Sequence, residues 1–229
     1  MESIASALGS IPALVWGERA IAALGVRLVC EHYMLVIEDA DFEDAVQQLR
    51  SAGFQDWASS YGSLDPDFYK GKGRLMENIY RRIVKEYGNL DRNSARFLFP
   101  PEQQSTAKVV LLPSSYTHIC VKSAPDDTLT RDGNIFYPVG GLLLQSFVQT
   151  YLREPVMGMW TSCLDMWSIS CLYGALTLGD DVLDSCDDEE AKAWFNENIR
   201  RLRGGIDRVT YTKRLGRVGY DESLARQEV

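Results

Sequence analysis

The sequence predicts an α/β (α+β) chain, a mixed-sheet half followed by a helical half. Three observations carry this reading. Short apolar runs alternate with helix-favouring segments between Ile11 and Phe54. Two further apolar runs follow, Ala95–Phe99 and Lys108–Leu112, the second stopped by Pro113. After Pro138 the strand signals give way to three helical patterns. A soft boundary near residue 135 therefore separates a sheet-bearing unit, 1–135, from a helical unit, 136–229, the two expected to pack as one compact body.

Each element has its own warrant. Ile11–Trp16 is a short apolar segment ending at Gly17–Glu18. Glu18–Leu24 is Ala-rich and favours helix, and Gly25 supplies the stop. Val26–Ile37 carries Val26, Leu28, Val29, Tyr33, Leu35, Val36 and Ile37 and reads as one or two strands. Asp39 or Asp41 can cap the next helix, in which Phe42, Ala45, Val46 and Leu49 keep the i, i+3, i+4, i+7 spacing until Gly53. Ser59–Lys72 reads as loop, and Leu75–Tyr87 as an amphipathic helix with Leu75, Ile79 and Ile83 on one face. Ser114–Asn134 is polar and expected to be irregular, with a turn at Pro125–Asp127. Val139–Leu152, Met159–Leu178 and Glu189–Leu202 are the three helices of the second half. Trp160, Leu164, Trp167 and Cys171 share one helical face and read as core.

Composition narrows the function classes. The chain has 229 residues with 45% hydrophobic and 24% charged residues, ordinary values for a globular domain and not for a disordered one. No apolar run approaches the roughly 20 residues of a membrane helix. The start lacks the basic and long apolar stretch of a signal peptide. Five Cys without metal-ligand pairing suggest reduced thiols and a cytoplasmic setting. Two His make a His-rich metal site or a His-based triad an unpromising reading, and no metal or cofactor is expected. The formal net charge of −8 disfavours non-specific nucleic-acid binding, leaving only a local basic patch for such a partner.

Two charged constellations stand out. Asp180, Asp181 and Asp184 follow Gly179, and Asp187, Asp188, Glu189 and Glu190 come soon after. Such a run repels itself unless a cation enters, either a metal or a substrate guanidinium. The bland reading is a solvated loop in which Asp187 or Asp188 caps the following helix. The second constellation is basic. Lys70, Lys72, Arg74, Arg81, Arg82 and Lys85 form one group; Arg200, Arg201, Arg203, Arg208, Lys213, Arg214 and Arg217 form another. Interleaved Tyr80, Tyr87 and Tyr211 could stack on bases, whereas the bland reading pairs these cations with the acidic loop.

The segment Val15–Phe54, with Gly17–Glu18 after the first apolar run and Glu31 before the second, resembles the opening of nucleotidyltransferase-fold proteins. That resemblance implies a degenerate nucleotidyltransferase-like mixed sheet. In the family a Gly turn cradles phosphates, and paired acids one residue apart on the next strand hold divalent metals. Here Glu31 matches the first acid, Tyr33 stands at the second, and Lys108–Leu112 offers no third. The Asp180-Asp-Val-Leu-Asp184 spacing also resembles the metal motif of class I terpene synthases, without a second such motif.

Over its whole length the chain resembles a group of small fungal proteins with an IPxxxWGE-type start, a Leu-Leu-Pro strand end and a basic tail. Ile11–Glu18, Val110–Pro113 and Gly204–Arg217 carry that likeness. Within fungal secondary metabolism it is similar to the arginine-containing cyclodipeptide synthases, associated with an Asp-Asp-x-x-Glu motif; this chain has Asp184 at the last position. The resemblance implies a transferase that joins arginyl and a second aminoacyl group from aminoacyl-tRNA into a diketopiperazine. Asp180, Asp181, Asp184, Glu18 and Glu31 are then the catalytic candidates; Arg81, Arg82, Arg200, Arg201 and Arg203 are the candidates for tRNA contact. Aminoacyl esters are already activated, so this chemistry needs an oriented amine and a proton acceptor. The rival readings are a non-catalytic binding protein on the same degenerate scaffold and, behind it, an active nucleotidyltransferase.

Overall fold

Among the described residues seven strands form a single mixed sheet in the order β3-β4-β5-β2-β1-β7-β6. The computed structural model describes residues 1–62, 71–122 and 124–200. The basic tail with Arg201 and Arg203, and Lys70 of the first basic group, lie outside the described residues. The strands are β1 (Ala13–Trp16), β2 (Tyr33–Ile37), β3 (Gln55–Asp56), β4 (Ala95–Leu98), β5 (Lys108–Pro113), β6 (Leu129–Asp132) and β7 (Ile135–Pro138). β2 and β5 run parallel, as do β1 and β7; the other neighbouring pairs are antiparallel. All four residues of β1 are buried, as are Met34–Ile37 of β2 and Val109–Leu112 of β5. Central strands covered on both faces need continuous apolar runs, which is what these segments supply.

The helices are α1 (Glu2–Leu8), α2 (Gly17–Ala23), α3 (Phe42–Ser51), α4 (Arg74–Glu86), α5 (Gly88–Arg92), α6 (Ser114–Thr117), α7 (Gly140–Arg153), α8 (Met159–Met166) and α9 (Glu189–Asn198). A π-helical stretch, Trp167–Gly174, continues α8. One hydrophobic cluster runs from Ile4 through the sheet to Phe195 and Ile199 on the helical side. At its centre Trp16 of β1 meets Phe147 of α7 edge-on at 4.8 Å, and Trp160 and Trp167 at 6.1 Å each. The Trp16 indole N–H donates to Ser146 Oγ at 2.8 Å, and the Ser146 hydroxyl donates to the Thr117 carbonyl. That chain of bonds ties β1, α7 and α6 together in a buried setting.

Three expectations for the sheet-bearing half change. Val26–Ile37 is strand only from Tyr33, and Val29 is 78% exposed. The reason lies in the partners. β1 ends at Trp16, opposite Met34, where the chain turns into α2, so residues 26–32 find no ladder to join. Ser114–Asn134 is not wholly irregular, because it holds α6 and the edge strand β6. The polar Leu-Thr-Arg-Asp run of β6 gives little strand signal, and Gly133 at φ 62° turns it into β7. On α4 the apolar stripe is mostly outward: Leu75 is 73% exposed, and of the three only Ile83 packs on the core.

Candidate functional site

Where β1 stops, the strand ends form a polar edge across the middle of the sheet. Gly17 turns the chain at φ 64°, a left-handed conformation that favours glycine. A Cβ there would lie 2.7 Å from Met34 Sδ on β2, so the turn also depends on close approach. This contact places Glu18, the next residue, over the start of β2. Its carboxylate Oε2 accepts the Glu31 backbone N–H at 2.8 Å. Burial raises the affinity of Glu18 for a proton, and the charge of Glu31 adds to the rise; the Glu31 and His32 N–H groups and Arg19 oppose it. The net direction is upward. Glu18 and Glu31 are thus brought together, Glu18 half-buried and Glu31 exposed.

Other groups converge on the same edge. Arg19 Nε donates to the His32 carbonyl at 2.9 Å, and its guanidinium lies 3.5 Å from the centre of the Tyr33 ring. His32 Nδ1 accepts the Lys108 backbone N–H at 3.4 Å; burial and then the Lys108 charge push its pKa down, favouring the neutral ring. Tyr61 packs edge-on against His32 at 5.2 Å. Burial pushes its hydroxyl well up, and the charge of Glu18 pushes further. The Cys163 thiol from α8 is held up to about 12, first by burial and then by Glu18, so it stays protonated at neutral pH and is no nucleophile. Half-buried Glu18 is thus flanked by neutral His32, Tyr61 and Cys163. Such a carboxylate binds a proton more readily than an ordinary exposed glutamate does.

The acidic loop is arranged differently. The Tyr173 hydroxyl donates to Asp180 Oδ1. Asp181 and Asp184 are exposed, and Arg200 meets both oxygens of Asp184 at 3.3 Å in a forked pair. Asp188 caps α9 by accepting the Glu190 and Ala191 N–H groups at 3.1 Å each, and Arg153 reaches it at 2.6 Å. Burial alone would raise Asp188, but the Ala191 N–H and Arg153 bring it below the ordinary Asp value. On α4, Arg81 lies 3.9 Å from Glu77 and Arg82 lies 2.6 Å from Glu86. Both cations are exposed.

No family model, curated protein or solved structure matches the chain.

Among the described residues no cluster of three or more His, Cys, Asp or Glu side chains is arranged to hold a metal ion. No helix among them is long and apolar enough to cross a membrane. His32, Tyr61, Lys108 and Cys163 had no distinct sequence signal as members of this edge. Only the pairing of β2 with β5 puts Lys108 beside His32, and only the packing of α8 brings Cys163 near Glu18.

Proposed function

We propose that the chain is a tRNA-dependent cyclodipeptide synthase on a degenerate nucleotidyltransferase-like scaffold, joining arginyl and a second aminoacyl group into a diketopiperazine. The observation that carries the reading is the half-buried Glu18 carboxylate, positioned by the Glu31 N–H at 2.8 Å, with burial acting to raise its proton affinity. In this reading Glu18 takes a proton from the α-ammonium of one aminoacyl group. The freed amine attacks the ester carbonyl of the other, and the tRNA 3′ hydroxyl leaves. A second aminolysis of the same kind closes the ring and releases the first tRNA. Glu31 holds Glu18 through its backbone N–H. The forked pairing of Arg200 with Asp184 is the internal pairing of a basic group with the acidic loop, so a substrate guanidinium at this loop would have to displace Arg200 or use Asp181.

The rival, a non-catalytic binding protein on the same scaffold, is favoured by one observation. Arg19 covers the ring of Tyr33, the residue that the nucleotidyltransferase resemblance sets at the position of the second acid. Expression of the chain alone in a heterologous host, with mass spectrometry of small molecules, separates the two. An arginine-containing diketopiperazine that disappears in a folded Glu18→Gln variant supports the synthase. Its absence from cells making the intact protein sinks the synthase and leaves the binding protein.

A further inference from the structure

A cavity of about 230 Å³ opens between α5, α6 and the C-terminal end of α7, lined by Asn89, Asn93, Tyr116, His118, Arg153 and Glu154 among others. Glu154 is its unusual member, a carboxylate only 9% exposed. The Tyr116 hydroxyl donates to Glu154 Oε1 at 2.6 Å, and Asn89 Nδ2 donates to the same oxygen at 3.1 Å. The Tyr116 oxygen in turn accepts the Trp160 indole N–H at 2.9 Å, so the phenol proton is directed at Glu154. Asn89 is equally fixed, because its Oδ1 faces donors from Arg92 at 3.5 Å and Asn93 at 3.2 Å.

Three facts set the Glu154 carboxylate apart. Both donors are neutral, and among the described residues no Lys, Arg or His lies within ion-pair distance. Both bonds end on Oε1, and Oε2 takes none among the described residues. Glu154 also caps the C-terminus of α7, the negative end of a 14-residue helix, where an anion is disfavoured. A glutamine would accept the same two bonds with its amide oxygen and bury no charge. The neighbouring Arg153 does not neutralise Glu154, because its guanidinium is engaged by Asp188 at 2.6 Å. Packing alone therefore gives no reason for a carboxylate here.

We infer that the cavity is a binding site for a small organic cation, an ammonium or guanidinium group held by Glu154. The bound cation supplies the missing counter-charge and donates to the open Oε2. The Asn93 and Thr150 side chains line the space around it. This inference is independent of the role given to Glu18 and uses none of that edge.

Calorimetric titration with n-butylguanidine, n-butylamine and neutral n-butylurea tests it. The three share a chain and differ in the charge and shape of the head. At least one cation should bind with measurable heat while the urea stays silent. Guanidine above amine identifies a planar forked contact, and the reverse identifies a compact ammonium. Glu154→Gln keeps an acceptor for Tyr116 and should weaken cation binding by about tenfold or more. Ser115 lines the same cavity and is exposed, so Ser115→Lys adds a tethered ammonium at the cavity without placing the new side chain in the core, its N–H still free to donate to Asp39. It should block the free cation even if Glu154→Gln fails to fold. Equal binding of the urea, no heat from either cation at millimolar concentration, or undiminished binding by folded Glu154→Gln or by Ser115→Lys would each overturn the inference.

Discussion

At Glu18 burial and hydrogen bonding pull the carboxyl in opposite directions, and burial wins. A pKa raised by folding means the native state binds the proton more tightly than the unfolded chain does. Stability from this group is therefore present at low pH and lost as pH rises from the ordinary value of 4.5 through the raised one. The neighbouring His32 is shifted the opposite way, so stability falls as pH drops below its ordinary 6.5. The difference between wild type and Glu18→Gln isolates the first effect. Denaturant melts from pH 4 to 8 should show the variant gaining on the wild type as pH rises; a constant gap would remove burial of Glu18 as the cause. At Gly17, alanine meets both a left-handed backbone and Met34 Sδ. Gly17→Ala should cost about 2 kcal/mol or more in urea unfolding, and a loss below roughly 0.5 kcal/mol, the ordinary surface range, would show the turn relaxes freely. The Gly17–Glu18 pair was legible in sequence because a glycine after an apolar run marks a turn. Its neighbours were not, since Tyr61 and Cys163 reach the edge only through tertiary packing.

Elements were legible where periodicity matched burial. In α3 the spaced Ala45, Val46 and Leu49 are buried, and Phe42 at the helix start is half-buried against the core. In the helical half Trp160, Leu164 and Trp167 are buried as read, but the next position at that spacing, Cys171, is only half-buried. The π-helical stretch begins at Trp167, and its wider turn puts Leu172 and Tyr173 into the core instead. A straight 3.6-residue period cannot anticipate that shift. Ser146 is a second unforeseen element of the helical half, a hydroxyl on the buried face of α7. It bonds Trp16 and Thr117 at once, so Ser146→Ala strands a buried N–H and a buried carbonyl. We expect a loss of about 2–3 kcal/mol, because each orphaned buried polar group costs on the order of 1–3 kcal/mol. Urea unfolding of Ser146→Ala measures it, and near-neutral behaviour would mean water reaches the gap.

At the scale of the whole molecule, the proposed tRNA partner has to bind a chain of net charge −8. Affinity for phosphate must then come from local cations, and α4 offers Arg81 and Arg82 on its exposed surface. Their pairings separate binding from folding. Arg81 sits 3.9 Å from Glu77, with both side chains more than half exposed, so the pair adds little to stability. Arg82 sits 2.6 Å from Glu86, whose side chain is 8% exposed and whose other oxygen accepts the Met159 N–H at 2.9 Å. Glu86 thus joins α4 to α8, and the Arg82 hydrogen bond holds its carboxyl below the ordinary range. Charge reversal at Arg81 should therefore weaken tRNA binding while leaving the melting temperature nearly unchanged. Reversal at Arg82 should weaken binding and lower the melting temperature together. The Arg81 effect should be the same for tRNAs of different sequence, since phosphate contacts position the chain without reading bases. It should also shrink as salt rises, because fewer counterions are released when one cation is lost. Filter binding of aminoacyl-tRNA at two salt concentrations, beside melting curves of both variants, measures all four quantities. Unchanged affinity in Arg81→Glu, with only Arg82→Glu losing stability, would assign these arginines to ion pairing and take α4 out of the tRNA surface.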